Sequence, residues 1–173
     1  MQRIAQFEKV SRERFRADWA ALHPAQAHEA DALHDALLLP RRATRGSAGY
    51  DFYLPCDLTL APGAGLLLPT GIRARIESGW VLLLMPRSSL GFKFRLQLNN
   101  TVGVIDSDYY HSDNEGHIMA KLLNDGREGK ALVLKAGTAF MQGLFLPFGI
   151  TEDDDAVQVR NGGIGSTSEA VRA

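Results

Sequence analysis

From Pro40 onward the chain alternates apolar and polar residues with a period of two, and few architectures accommodate that pattern. Ile72, Ala74 and Ile76 alternate with Arg73, Arg75 and Glu77. Phe92, Phe94, Leu96 and Leu98 alternate with Gly91, Lys93, Arg95 and Gln97, and Ile118, Ala120 and Leu122 with His117, Met119 and Lys121. Successive side chains of a strand point to opposite faces, so each segment reads as a half-buried strand. Residues 81–85 (VLLLM) are continuously apolar, which predicts a strand covered on both sides. Pro62-Gly63, Pro69, Gly79, Pro86, Gly126, Gly137 and Gly149 punctuate the segments. Many short strands so punctuated predict an all-β sandwich or barrel.

Residues 1–40 follow a different rule. Ser11 can cap a helix, and Phe15, Trp19 and Leu22 then recur four and three residues apart as one apolar stripe. A second helix is expected over residues 27–38, with Ala30, Leu33 and Leu37 on one face. Leu39-Pro40 should end it, because the residue before a proline avoids helical angles. A short, weakly patterned strand fits residues 3–10. The Phe15 stripe must be buried, either on its own barrel or between chains.

Charge and cysteine content narrow the function. Lys and Arg number 19 against 20 Asp and Glu, a net charge of −1. That balance argues against a general nucleic-acid binder, so any polyphosphate site must be a local concentration of donors. Cys56 is the single cysteine, sits in no Cys/His cluster, and reads as a structural thiol in a reducing compartment. No apolar run approaches membrane-spanning length and the N-terminus has no apolar signal core, so a soluble cytoplasmic protein is expected. Residues 161–173 are rich in Gly, Ser and Thr, a composition expected to stay mobile unless a ligand orders it.

Five segments stand out from the strand pattern. The first, AGYDF at 48–52, holds Asp51 beside a glycine turn; alone it would read as a solvated strand residue. The second, PRSSLG at 86–91, joins the rigid donor fork of Arg87 to the hydroxyls of Ser88 and Ser89, a set suited to a phosphate chain. The third, NNTVGVIDSDYY at 99–110, delivers Asp106 from a strand end as a candidate general base, with Tyr109 three residues on as a candidate platform for a sugar or base. The fourth, GTAFMQGLF at 137–145, sets Gln142 inside an apolar run, where a satisfied core amide is the plain alternative. The fifth, RNGGIGSTS at 160–168, can wrap its backbone around an anion but lacks the Gly-Lys-Ser/Thr ending of a Walker loop.

In order, spacing and content the five segments resemble the five motifs of the trimeric dUTPase (deoxyuridine triphosphate nucleotidohydrolase) family over about residues 40–168. The opening RIAQFEKVS resembles a variant found in Gram-positive bacteria and their phages. The resemblance implies an all-β, distorted jelly-roll core over 41–159, an N-terminal strand and helical addition over 1–40 packed on that core, and a C-terminal arm over 160–173. It implies a homotrimer whose shared sites hydrolyse dUTP to dUMP and pyrophosphate with Mg2+, without nucleic-acid or membrane partners. Asp106 matches the aspartate that deprotonates the attacking water. Tyr109 matches the tyrosine that packs under deoxyribose and leaves no room for a 2′-hydroxyl. Asn100, Gly103 and Val104 match a hairpin that reads uracil through main-chain groups. Arg87, Ser88, Ser89 and Gln142 match phosphate ligands, and Asp51 matches the carboxylate that holds magnesium through water. Arg160, Gly163, Ile164, Gly165, Ser166 and Thr167 match an arm that closes over a neighbouring chain's site.

Three departures and two rival readings accompany this match. Ala139-Phe140-Met141 stands where the fourth motif usually carries an arginine, so a salt-bridge partner is missing or supplied elsewhere. Ile164 replaces a phenylalanine that stacks on uracil, which predicts a weaker lid and a higher Michaelis constant. Residues 111–116 make the link after Tyr110 longer than usual. A dCTP deaminase, or a bifunctional deaminase, on the same fold would need a glutamate near the ring, and Glu115 is the one acid of that type near the third motif. A dUTP-binding regulatory module with a protein partner would tolerate the altered fourth and fifth motifs.

Overall fold

Strand pairing is antiparallel throughout residues 2–158, which the computed structural model describes. The arm positions Arg160, Gly163, Ile164, Gly165, Ser166 and Thr167 lie outside the described residues. The chain runs through β1 (Ala5–Lys9), α1 (Arg12–Leu22), a 3-10 turn (Pro24–Glu29), α2 (Ala30–Ala36), β2 (Arg41–Arg42), β3 (Tyr50–Tyr53), β4 (Leu58–Leu60), β5 (Gly65–Pro69), β6 (Ile72–Ile76) and β7 (Trp80–Pro86). It continues through α3 (Ser88–Phe94), β8 (Leu96–Leu98), β9 (Gly103–Ile105), a second 3-10 turn (Ser107–His111), β10 (Met119–Asn124), β11 (Leu132–Leu134) and β12 (Ala139–Pro147). Five strands in the order β2-β3-β12-β7-β9 form the largest sheet. A three-stranded sheet, β5-β10-β8, and the pairs β1-β6 and β11-β4 complete the described pairings.

The period-two pattern holds where one strand face meets the core. Ile72, Ala74 and Ile76 of β6 are buried, as are Ala120 and Leu122 of β10. They join Phe52, Leu68, Leu82, Phe140 and Met141 in one cluster. β7 differs from the expectation of cover on both sides: Leu82 and Leu84 are buried, while Val81, Leu83 and Met85 are half-buried in the single chain.

α1 forms because Ser11 Oγ accepts from Arg14 N at 3.0 Å and so satisfies a free amide of the first turn. Phe15 and Trp19, four residues apart, are buried in the same cluster as the strand residues, each contributing roughly 1.5–3 kcal/mol of apolar burial. Leu22, the third member of the expected stripe, is exposed. β1 pairs with β6 from Ala5↔Ile76 to Lys9↔Ile72. The N-terminal segment therefore packs on its own barrel by both its strand and its helix.

Two expectations are corrected. The helix placed over residues 27–38 is split into the first 3-10 turn and a short α2. Trp19 Nε1 donates to Gln26 O at 3.1 Å, which holds the kinked turn, and Gln26 has φ −115. Leu37 turns extended (ψ 131), with its side chain over Gly71, where a Cβ would meet Leu37 Cδ1 at 2.2 Å. That contact ends α2 before Leu39-Pro40 is reached. The strand expected over residues 92–98 is half helix. Leu90 is buried and Phe94 packs against the core, a helical spacing of four, whereas Phe92 is 90% exposed. Arg95, with φ 50, closes α3, and only Leu96–Leu98 is strand.

Candidate active site

The large sheet brings the first, second and fourth segments together. β3 pairs with β12 so that Asp51 faces Gln142, and Gln142 faces Met85 on the other side. Arg87 follows β7 directly, and its amide donates to Phe140 O at 3.1 Å. That anchor aims the guanidinium back across β12. Arg87 Nη1 donates to Asp51 Oδ2 at 3.1 Å, an ion pair in which Asp51 is only 8% exposed. A carboxylate this buried needs such a charged partner. The expected loss of a fourth-motif cation is thus met in part from the second motif. Arg41 also faces Asp51, from β2, but its Nε donates to Tyr53 Oη at 3.2 Å.

Gly49 has a packing reason to be glycine: a Cβ there would sit 2.6 Å from Gln142 Oε1. The amide occupies the space a side chain would take. Gln142 is half-buried rather than sealed in the core. Ser88 and Ser89 open α3 beside Arg87, and Leu90 N and Gly91 N donate to Arg87 O at 3.0 Å. One wall therefore holds a guanidinium, two hydroxyls, an amide and one carboxylate, a set that can bind a phosphate chain with an associated cation.

The third segment lies elsewhere on the sheet. β9 pairs with the far edge of β7, from Leu84↔Gly103 to Leu82↔Ile105. A Cβ on Gly103 would approach Leu84 Cβ to 3.1 Å, so the glycine lets the strands close up. Asp106 follows Ile105 and opens the 3-10 turn that carries Tyr109. Ile105 faces Leu82, and Arg87 comes five residues later, roughly 17 Å along an extended strand. Within one chain, Asp106 and the Asp51–Arg87 wall stand at opposite ends of β7. Asn100 lies in an exposed turn between β8 and β9, in which Thr101 has φ 68. β8 pairs with β10 and β9 with β7, so this turn links two sheets and is not the hairpin expected from the sequence. Val104 is exposed beside it.

The contacts made by the residues around Tyr109 escaped the sequence reading. Tyr109 is buried, and its hydroxyl donates to His117 O at 2.8 Å and accepts from Asn114 Nδ2 at 2.8 Å. Glu115 accepts from Ser11 N at 2.8 Å and from Ser11 Oγ at 2.6 Å. Burial disfavours its charge, yet the two Ser11 bonds, with Arg73 and Arg14 nearby, hold its pKa below the ordinary range. Both of its oxygens are engaged with the N-terminal segment, which removes the glutamate that a deaminase reading would use. The run N-E-G-H of residues 114–117 was the only available signal, and its partners lie about a hundred positions away, with Glu115 and Ser11 separated by 104.

Comparison with known proteins shows the family. The dUTPase family model matches residues 35–168. A deoxyuridine 5′-triphosphate nucleotidohydrolase of Lactococcus lactis is 42% identical over 132 residues, 75% of this chain and 87% of that protein. One from Klebsiella pneumoniae is 38% identical over 135 residues, 73% and 84% of the two chains. The crystal structure of a Streptococcus mutans dUTPase superposes with a TM-score of 0.60 at 43% identity, covering 68% of this chain and 91% of that one. A dUTPase of Staphylococcus bacteriophage 80alpha shares the fold at a TM-score of 0.62 and 16% identity, over 92% and 99%. On this match, and with an all-β, jelly-roll-like fold to support it, the chain belongs to the dUTPase family.

Proposed function

We propose that the chain hydrolyses dUTP to dUMP and pyrophosphate at sites shared between three copies of itself. The observation that carries this reading is the Asp51–Arg87–Gln142 wall in a chain of this family. Water attacks the α-phosphorus, the bond from that phosphorus to the α,β-bridging oxygen breaks, and pyrophosphate leaves with the electron pair. Asp106 takes the water's proton. Arg87, Ser88, Ser89 and Gln142 hold the phosphates, and the Asn100–Gly103–Val104 turn reads uracil by main-chain groups. Tyr109 packs under the deoxyribose. The arm residues Arg160, Gly163, Ile164, Gly165, Ser166 and Thr167 cover the site.

Among the described residues no cluster of three or more His, Cys, Asp or Glu could cage a metal. A lone carboxylate such as Asp51 fits a Mg2+ that arrives on the triphosphate and keeps its waters, with Asp51 holding it through one of them. When bound, the ion neutralises phosphate charge. Two features support the trimer. Asp106 and Arg87 are too far apart within one chain to serve one phosphate. The outer face of β7 and β12 is also apolar, with Val81, Leu83, Met85 and Leu144 half-buried and Leu146 exposed. The phage likeness is one of fold and brings no regulatory partner to this chain.

The test is pyrophosphate release from dUTP, with dCTP, dTTP and UTP as controls, with and without Mg2+, beside Asp106→Asn. Turnover of dUTP alone, aided by Mg2+ and abolished in the variant, is expected. Ammonia release from dCTP, or full activity in Asp106→Asn, would overturn the reading.

A further inference from the structure

The N-terminal segment makes three polar contacts with the residues that surround Tyr109. Glu8 of β1 accepts from Tyr110 Oη at 2.7 Å and from Arg73 at 3.0 Å, and the Arg73 guanidinium lies 4.4 Å from the Tyr110 ring centroid. Ser11, which caps α1, binds both oxygens of Glu115. Asp18 of α1, itself held by Arg14, lies 2.6 Å from His117 Nδ1. His117 is fully buried, and its Nε2 accepts from Gly71 N at 2.8 Å. That bond fixes the tautomer, so Nδ1 carries the proton and donates it to Asp18.

The turn is also closed on itself. Ser112 Oγ lies 2.7 Å from both Tyr109 O and Asn114 Oδ1, and Asn114 Nδ2 reaches the Tyr109 hydroxyl. Gly116 has φ +70, and a Cβ there would come within 2.7 Å of Tyr110 Cα and 2.9 Å of Tyr109 O. Residues 109–117 are therefore bound to one another, and the contacts from Glu8, Ser11 and Asp18 tie them to the N-terminal segment. The family model begins at residue 35, so all three contacts come from outside the matched region.

We propose that the N-terminal addition is a clamp that positions the Tyr109 turn through Glu115 and His117, and so sets how strictly the site rejects a ribose. The proposal rests on the dUTPase reading above. Glu115 and His117 are positioning residues, since both are committed to the N-terminal segment and act on substrate only through Tyr109. The function assigned to the 111–116 insertion is then to carry the receiving half of the clamp.

The test compares wild type, Glu115→Ala, Glu115→Gln and Ser11→Ala for kcat and KM on dUTP and UTP, far below the unfolding temperature. Glu115→Ala is expected to keep kcat on dUTP within a few-fold while raising the UTP:dUTP ratio of kcat/KM by about tenfold. Glu115→Gln, which keeps an acceptor for Ser11, should recover most of the discrimination, a rescue that a general loss of stability would not give. Native-state amide exchange supplies an arm free of activity and, in wild type, free of variant folding. The clamp requires residues 8–18 and 107–117 to open together with one free energy, and Ser11→Ala to speed both by about tenfold. Independent opening of the two segments, or an unchanged sugar ratio in a folded Glu115→Ala, overturns the proposal. A wild type inert towards dUTP refutes the function instead, and exchange still judges the clamp.

Discussion

Truncation of Trp19 to alanine measures how far the N-terminal helix belongs to the cooperative core. The indole is fully buried, stacks on Phe15 at 5.7 Å between centroids, lies 4.3 Å from the His23 ring, and donates to Gln26 O at 3.1 Å. Removing a buried Trp or Phe side chain costs about 3–5 kcal/mol, through lost transfer energy and the cavity left behind. The ring contacts fall within that range, and the orphaned Gln26 carbonyl keeps the loss from its lower end. A loss of about 4 kcal/mol lowers Tm by roughly 8–16 °C in a chain of this size. Trp19→Phe, which loses the Gln26 bond and part of the ring, should cost about 1–2 kcal/mol. Calorimetry at fixed protein concentration reads both, because the proposed assembly would make Tm concentration-dependent. Phe15 and Trp19 share one cluster with Leu68, Leu82 and Phe140, so a single transition is expected. A loss below about 1 kcal/mol, or a biphasic melt with the barrel at its wild-type temperature, would refute the assignment of α1 to that core.

Gly49→Ala should force the Gln142 amide aside, because the new methyl would lie 2.6 Å from Oε1 at the flexible end of that chain. Steady-state kinetics should show kcat/KM for dUTP falling about tenfold with Tm nearly unchanged, and wild-type kinetics in this variant would remove Gln142 from the site. Acid should destabilise the clamp. For Asp18 and Glu115 burial opposes ionisation, but His117 and Arg14 at Asp18, and Ser11 at Glu115, hold both folded pKa values below their ordinary ones. Their contribution is therefore complete above the unfolded carboxylate range of about 4 to 4.5 and is lost as pH falls through the depressed folded values. Urea unfolding from pH 7 down to pH 3, in steps of about one unit, should show a shallower acid limb for Glu115→Gln than for wild type, and equal limbs would contradict the sign.

What the sequence revealed followed from how local each cause is. Ile72, Ala74 and Ile76 are legible as a strand because one face meets the core and the other does not. Ser11, Phe15 and Trp19 are legible as a helix because cap and stripe lie within nine positions. α3 was hidden because the apolar spacing of Leu90 and Phe94 runs straight into the alternation of Leu96 and Leu98, and only Arg95 in the left-handed region separates them. The end of α2 was hidden because it depends on Leu37 meeting Gly71, a tertiary contact. Of the proposed site, Asp51, Arg87 and Gln142 were legible from the motifs, though not the ion pair between Asp51 and Arg87. The Glu115 and His117 contacts were out of reach, since nothing near either residue in sequence identifies Ser11 or Asp18 as its partner.

The length of β7 has a consequence for inheritance. Asp106 and Arg87 sit at opposite ends of that strand, so a site that uses both must draw them from different copies. A cell carrying one allele defective at Asp106 and another defective at Arg87 would then build mixed assemblies in which some sites are intact, and two inactive genes would complement each other. With sites shared as proposed, the same geometry would make a single defective allele partly dominant, because each faulty copy would spoil sites that its sound neighbours help to form.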